Sequence, residues 1–241
     1  MSDLPPLDAT TRERLQQNRD GVRQRIAAAA RAAGRDPAAV QLVCVVKYAE
    51  LPWVQGLYEL GEREFGEARP QQLAERVALL PSDVRWHLIG SLQRNKVGPT
   101  LDALGAGGLI HSVDSSRLLD RVARLAAERS RVARVLLQVN VTGEATKQGL
   151  VPDEVAGLVA SSAASDAVAI EGLMTMAAKQ GDAAATFEQL AALSRTLPSE
   201  LPVLSMGMSG DLEAAIAAGA THVRIGSALF EGLARCESRP E

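Results

Sequence analysis

Aromatic residues are scarce in this chain: two Trp, two Tyr and three Phe, 3% of 241 residues. A core must therefore be aliphatic and alanine-rich, and with 46% hydrophobic residues there is material for a sizeable one. Cysteine is rarer still. Cys44 and Cys236 stand far apart and form no CxxC pair, which argues against a disulfide framework or a structural zinc site. Cys44 lies inside an apolar run and reads as a small buried thiol. The three histidines have no metal-ligand spacing. Neither sign of charge prevails: 26 basic and 29 acidic residues give a net charge of -3 without a long run of one sign. That argues against a nucleic-acid or membrane partner. No run approaches a membrane span, and "MSDLPPLDATTRERLQQ" contains no apolar leader segment, so the expectation is a soluble cytoplasmic protein. A GxSxG elbow, a P-loop and a GxGxxG following a strand are also absent.

What is present is alternation. Residues 9–34 read as one long helix, rich in Arg, Gln and Ala, capped by Thr10 or Thr11 and stopped by Gly34. Short apolar runs follow near 41–47, 85–90, 109–113, 134–141, 168–176, 202–206 and 222–226, with a weaker candidate, "REFGEA", at 63–68. Between them lie amphipathic helical stretches such as "SSRLLDRVARLAAERS", "PDEVAGLVASS" and "DAAATFEQLAALSRTL". Strands alternating with helices predict βαβ units and a parallel sheet. Eight such units fit a closed (β/α)₈ TIM barrel, with a doubly wound open sheet as the alternative, because strand count alone does not show closure. No Pro/Gly/Ser-rich linker divides the chain, so a single domain over 1–241 is expected.

In a barrel, chemistry gathers at the C-terminal ends of the strands. The polar residues placed there are Lys47; Glu67 and Arg69; Gln93, Asn95 and Lys96; His111 and Asp114; Asn140, Thr142 and Lys147; Thr175 and Met176; Ser205 to Ser209; and Arg224, Gly226 and Ser227. Lys47 ends "LVCVVK", a run apolar on both faces, as in a strand buried on both sides. It has two readings: a solvated strand end, or an inward amine in a water-poor space, where the neutral nucleophilic form is favoured. "LSMGMSGDLEAAIAAG" runs from a strand through a Gly/Ser turn into a helix that Ser209 can cap, and "VRIGSALF" repeats the strand-glycine-serine pattern. Together they place two anion-binding turns after strands seven and eight, where phosphates are often held in such barrels. An amine beside a phosphate site suggests pyridoxal 5'-phosphate (PLP). Arg224, two residues before Gly226, can face the pyridine nitrogen as a permanent donor. Met206 and Met208, in the same loop, can cover a cofactor face. His87 and His111 read as hydrogen-bonded core histidines, and His222 lies at the wrong end of its strand for chemistry.

"VCVVKYAE", "FGEARPQQ", "WHLIGSLQRNK", "IHSVDS", "QVNVTGEATKQG", "GLMTMA" and "LSMGMSGDLEAAIAAGATHVRIGSALF" occur in the order found in the YggS/PROSC family of PLP homeostasis proteins, which the chain resembles over about residues 40–232. The resemblance implies a fold-type III barrel like the N-terminal domain of alanine racemase. It implies PLP held as a Schiff base on Lys47, its phosphate at Ser209, Gly226 and Ser227 with Ser205 nearby, and Arg224 at the pyridine nitrogen. Lys147 matches a basic residue near the cofactor of related racemases, and Asn140, at the end of strand five, is placed with it. The sequence shows no counterpart of the racemase C-terminal domain and its tyrosine base, and Met176 stands where the racemase has a histidine. The function implied is intracellular PLP (vitamin B6) homeostasis, with delivery of cofactor to apo-enzymes and without efficient catalysis; a monomer is expected because no second domain need complete the site. The alternatives are a low-activity PLP-dependent racemase and a PLP-free, Schiff-base aldolase-like barrel. Many members of the family read "FGEN" where this chain has "FGEA", so Ala68 replaces an asparagine near the cofactor, with Arg69 as a possible substitute.

Overall fold

In the computed structural model, which describes residues 7–144, 148–162, 165–177 and 181–233, the long first helix is α1 (Ala9–Ala32). Its cap is Asp8 rather than either threonine: the Asp8 carboxylate accepts from Thr11 N at 2.9 Å, leaving both threonines inside the first turn. Leu15, Val22, Ile26 and Ala30 form its buried stripe. Gly34, with φ +67°, turns the chain away where a side chain would be strained.

The strands are β1 (Gln41–Val45), β2 (Glu64–Glu67), β3 (Arg85–Leu88), β4 (Leu109–Val113), β5 (Ala133–Gln138), β6 (Val168–Met174), β7 (Val203–Ser205) and β8 (His222–Ile225). All neighbours pair in parallel, and β8 pairs back onto β1 with Leu42 opposite Val223. The sheet is a closed barrel, so the open-sheet alternative fails. The intervening helices are α2 (Leu51–Glu59), α3 (Pro70–Leu79), α4 (Val97–Leu104), α5 (Ser116–Ala127), α6 (Pro152–Ser162), α7 (Ala183–Thr196) and α8 (Leu212–Ala217). Among the described residues no helix is long and apolar enough to cross a membrane.

Alternation along each strand builds two interiors. Outward side chains such as Leu42, Cys44, Phe65, Val135 and Val223 pack beneath the helices in the main apolar core. Burial pushes the Cys44 thiol far up, which keeps it protonated and inert. Inside the barrel, Leu109, Leu136 and Met174 form a separate small cluster with Val203 against it. The lumen also holds Val43 and a set of polar residues, including Glu64, His87, His111, Ser205 and Arg224.

β6 and β7 approach each other closely at Gly172. A Cβ there would stand 1.9 Å from the Val203 carbonyl oxygen, so backbone rather than a flexible side chain blocks it. Gly172→Ala is expected to cost about 2 kcal/mol, a fall in Tm of roughly 4–8 °C by thermal unfolding.

Candidate functional site

Pairing of β1 with β2 continues through Val46 N, which donates to Gly66 O at 2.9 Å, and the chain then turns. Lys47 is the first residue of that turn. It is half-buried on the wall of a cavity of about 610 Å³ at the C-terminal mouth of the barrel, with Nζ 5.1 Å from the Tyr48 ring centroid. Lys47 is thus neither inside the strand nor simply out in water. Stacked rings of Trp53 and Phe230, 5.8 Å apart, form an apolar wall of the same cavity, and Met176 and Met208 also line it.

The turn carrying Lys47 is braced from behind. Glu67, at the end of β2, is fully buried with Oε1 2.7 Å from Arg76 Nε on α3, and Arg76 Nη2 donates to Ala49 O at 2.7 Å. Burial raises the Glu67 carboxyl above its ordinary value, and Arg76 offsets only part of that rise.

Opposite lie the two glycine-serine turns. Gly207 has φ +93°, and a Cβ on it would meet the Ala215 Cβ at 2.5 Å, so glycine is required there. The turn brings Ser209 against β8: Ser227 Oγ donates to Ser209 Oγ at 3.0 Å, and Ala228 N donates to the same oxygen at 3.4 Å. Gly226 packs on β1, where a Cβ would come within 3.3 Å of Val45. Ser209 is not the helix cap expected of it. The six-residue α8 starts later, at Leu212, and Asp211 takes the capping position, its carboxylate accepting from Met208 N. The N-terminal helix supports this loop: Arg25 Nη2 donates to Ser209 O at 3.0 Å and its guanidinium pairs with Glu213, while Asn18 Nδ2 donates to Leu229 O and Glu231 O. Nothing in the local sequence of α1 announced this role, since the partners are about 200 residues away.

Arg224 reaches the cavity from within the barrel. Nη1 donates to Ser205 Oγ at 2.6 Å and Nη2 to Thr175 O at 3.0 Å. Burial lowers its pKa to about 10, which leaves the guanidinium charged at neutral pH. Lys47, Ser209, Arg224, Gly226 and Ser227 therefore share one cavity lining.

The sequence profile of the alanine racemase N-terminal domain matches residues 17–233. The pyridoxal phosphate homeostasis protein of Pseudomonas aeruginosa is 39% identical over 213 residues, 87% of this chain and 91% of its own. This chain belongs to the pyridoxal phosphate homeostasis protein family. Among solved structures, PipY of Synechococcus elongatus with PLP bound is 33% identical, has a TM-score of 0.73, and covers 87% of this chain and 99% of that one. An alanine racemase of Clostridium difficile shares the fold with a TM-score of 0.72 at 12% identity, this chain spanning 56% of its length.

Three residues expected at the cofactor lie off this cavity wall. Met206 is fully buried in the outer core, because alternation from the inward Ser205 turns it outward; Met208 takes the cavity wall instead. Ser205 lies beneath Arg224 rather than among the residues lining the cavity. Asn140 is buried and turned into its own loop, donating to Glu144 O and accepting from Thr142 Oγ1. Lys147 lies outside the described residues. Ala68 and the exposed Arg69 are both absent from the cavity lining, so Arg69 does not stand in for the family asparagine there.

Proposed function

We propose that this chain, 1–241, is one barrel domain that binds pyridoxal 5'-phosphate as a cytoplasmic monomer and serves PLP homeostasis, delivering the cofactor to apo-enzymes without efficient catalysis of its own. The observation that carries the reading is the meeting, in one cavity, of a lysine amine, a serine hydroxyl pair on two glycine turns, and a charged arginine. The names of the relatives and the PLP bound to PipY support it.

The donor set suits the group. Bound PLP supplies an aldehyde for an amine and a phosphate for an anion cradle. Lys47 Nζ would supply the amine for that aldehyde. The Ser209 and Ser227 hydroxyls and the backbone beside Gly226 would hold the phosphate, and Arg224 would offer a hydrogen-bond donor to the ring nitrogen. Trp53, Phe230 and the methionines keep water from the apolar faces. Among the described residues of the lining, the titratable groups are Lys47, Tyr48 and Arg224. Tyr48 neighbours Lys47 instead of facing it, so two-base proton exchange has no second partner there.

The test is the visible absorption spectrum of the purified protein near pH 7, with and without added PLP, before and after borohydride. A yellow band bleached by the reductant is expected, together with no D-alanine formed from L-alanine. Formation of D-alanine would favour the racemase reading. A protein that stays colourless with PLP would favour the aldolase-like one.

A further inference from the structure

Barrels of this kind are usually filled with branched apolar side chains. Here a continuous polar chain crosses the lumen. Glu64 Oε2 lies 2.7 Å from His87 Nε2, and His87 Nδ1 lies 2.8 Å from His111 Nε2. His111 Nδ1 is 2.9 Å from Ser205 Oγ, which accepts from Arg224 Nη1. All five residues are buried. Their strand positions, on β2, β3, β4, β7 and β8, run from the N-terminal end of the barrel to the cavity.

The two ends determine the direction. A carboxylate only accepts and a guanidinium only donates, so each group between them must do both. Arg224 donates to Ser205, Ser205 O–H to His111 Nδ1, His111 Nε2–H to His87 Nδ1, and His87 Nε2–H to Glu64. Every link then has one proton, and both imidazoles carry theirs on Nε2. A second proton on His87 would reverse the His111 link, and the Ser205 hydroxyl hydrogen would lose its acceptor in a fully buried place. Because arginine keeps its proton, the chain is no proton path; it restrains orientation. Burial raises the Glu64 carboxyl, but its partners His87 and Arg85 together more than offset that rise and hold it below the ordinary value. Burial, with the Arg224 charge as a further cause, holds His111 well below its own.

We infer that Glu64, His87, His111 and Ser205 are positioning residues of the cavity, fixing Arg224 so that its free edge faces the ligand. The role rests on the cavity being the PLP site. The chain itself is tested in the full-length protein without cofactor, labelled with ¹⁵N-histidine, near pH 7. Nε2–H tautomers are expected for both His87 and His111. An Nδ1–H form of His111, or a doubly protonated His87, overturns the inference.

The positioning role is tested with Glu64→Gln, whose amide can donate as well as accept, beside Arg85→Gln, which removes the other partner of Glu64 but leaves the carboxylate. Glu64→Gln should mix the His111 tautomers and weaken PLP binding about tenfold, whereas Arg85→Gln should change neither. Equal behaviour of the two variants means a merely structural role and overturns the inference. No PLP binding by the unaltered protein fails the cofactor reading and this role with it, and the tautomers show separately whether the chain exists.

Discussion

Replacing Lys47 by alanine abolishes borohydride-stable attachment of PLP and weakens its binding at least about a hundredfold, a loss of ~2.7 kcal/mol. Lys47 is the one primary amine among the described residues that line the cavity. The other cation, Arg224, is tied at both terminal nitrogens and does not act as a nucleophile. The phosphate turns are untouched by the change, so weak, non-covalent binding should persist. Intact-mass measurement after reduction shows the covalent part, and equilibrium titration shows the rest. A Lys47→Ala protein that still gains the reduced cofactor would place the amine elsewhere and remove Lys47 from the site. A variant that loses covalent attachment and all residual affinity would instead mean that the serine turns contribute little.

The barrel was legible because its outward positions are aliphatic and recur at a strand-helix period. β2 was the faint strand for a physical reason. Two of its four residues are glutamates, and both are buried, because Arg85 and His87 receive Glu64 and Arg76 receives Glu67. Charge on a buried strand looks like a loop until its partners are seen. The turns that carry the cavity residues were legible where the backbone demanded a type, as at Gly207, or where a glycine and serine stood together. What could not be read was connection across strands. His87 and His111 are core histidines, as their apolar surroundings implied, yet their joining to Ser205, 94 residues further on, depends on barrel closure. Met206 and Met208 show the finer limit, since one residue of register decides whether a side chain enters the cavity or the outer core.

Arg76→Ala is expected to destabilise the protein by about 3 kcal/mol, a fall in Tm of roughly 6–12 °C. Arg76 is 12% exposed and Glu67 is fully buried, so removing the arginine strands a carboxylate out of reach of water. It also releases the Ala49 carbonyl and with it the turn that carries Lys47. The loss must depend on pH in a stated direction. Glu67 already sits above the ordinary carboxyl value of 4.5 through burial, and without Arg76 it rises further. Above that ordinary value the folded protein holds a proton that the unfolded chain has released, so stability falls as pH rises. Urea unfolding should therefore show a larger deficit for Arg76→Ala near about pH 8 than near about pH 5. Replacing both partners, as Glu67→Met with Arg76→Leu, removes the stranded charge and should recover much of the stability. It should not recover PLP affinity, because the Ala49 carbonyl remains untied. A deficit independent of pH, or larger in acid, would mean that Arg76 acts through packing on α3 and not by neutralising Glu67.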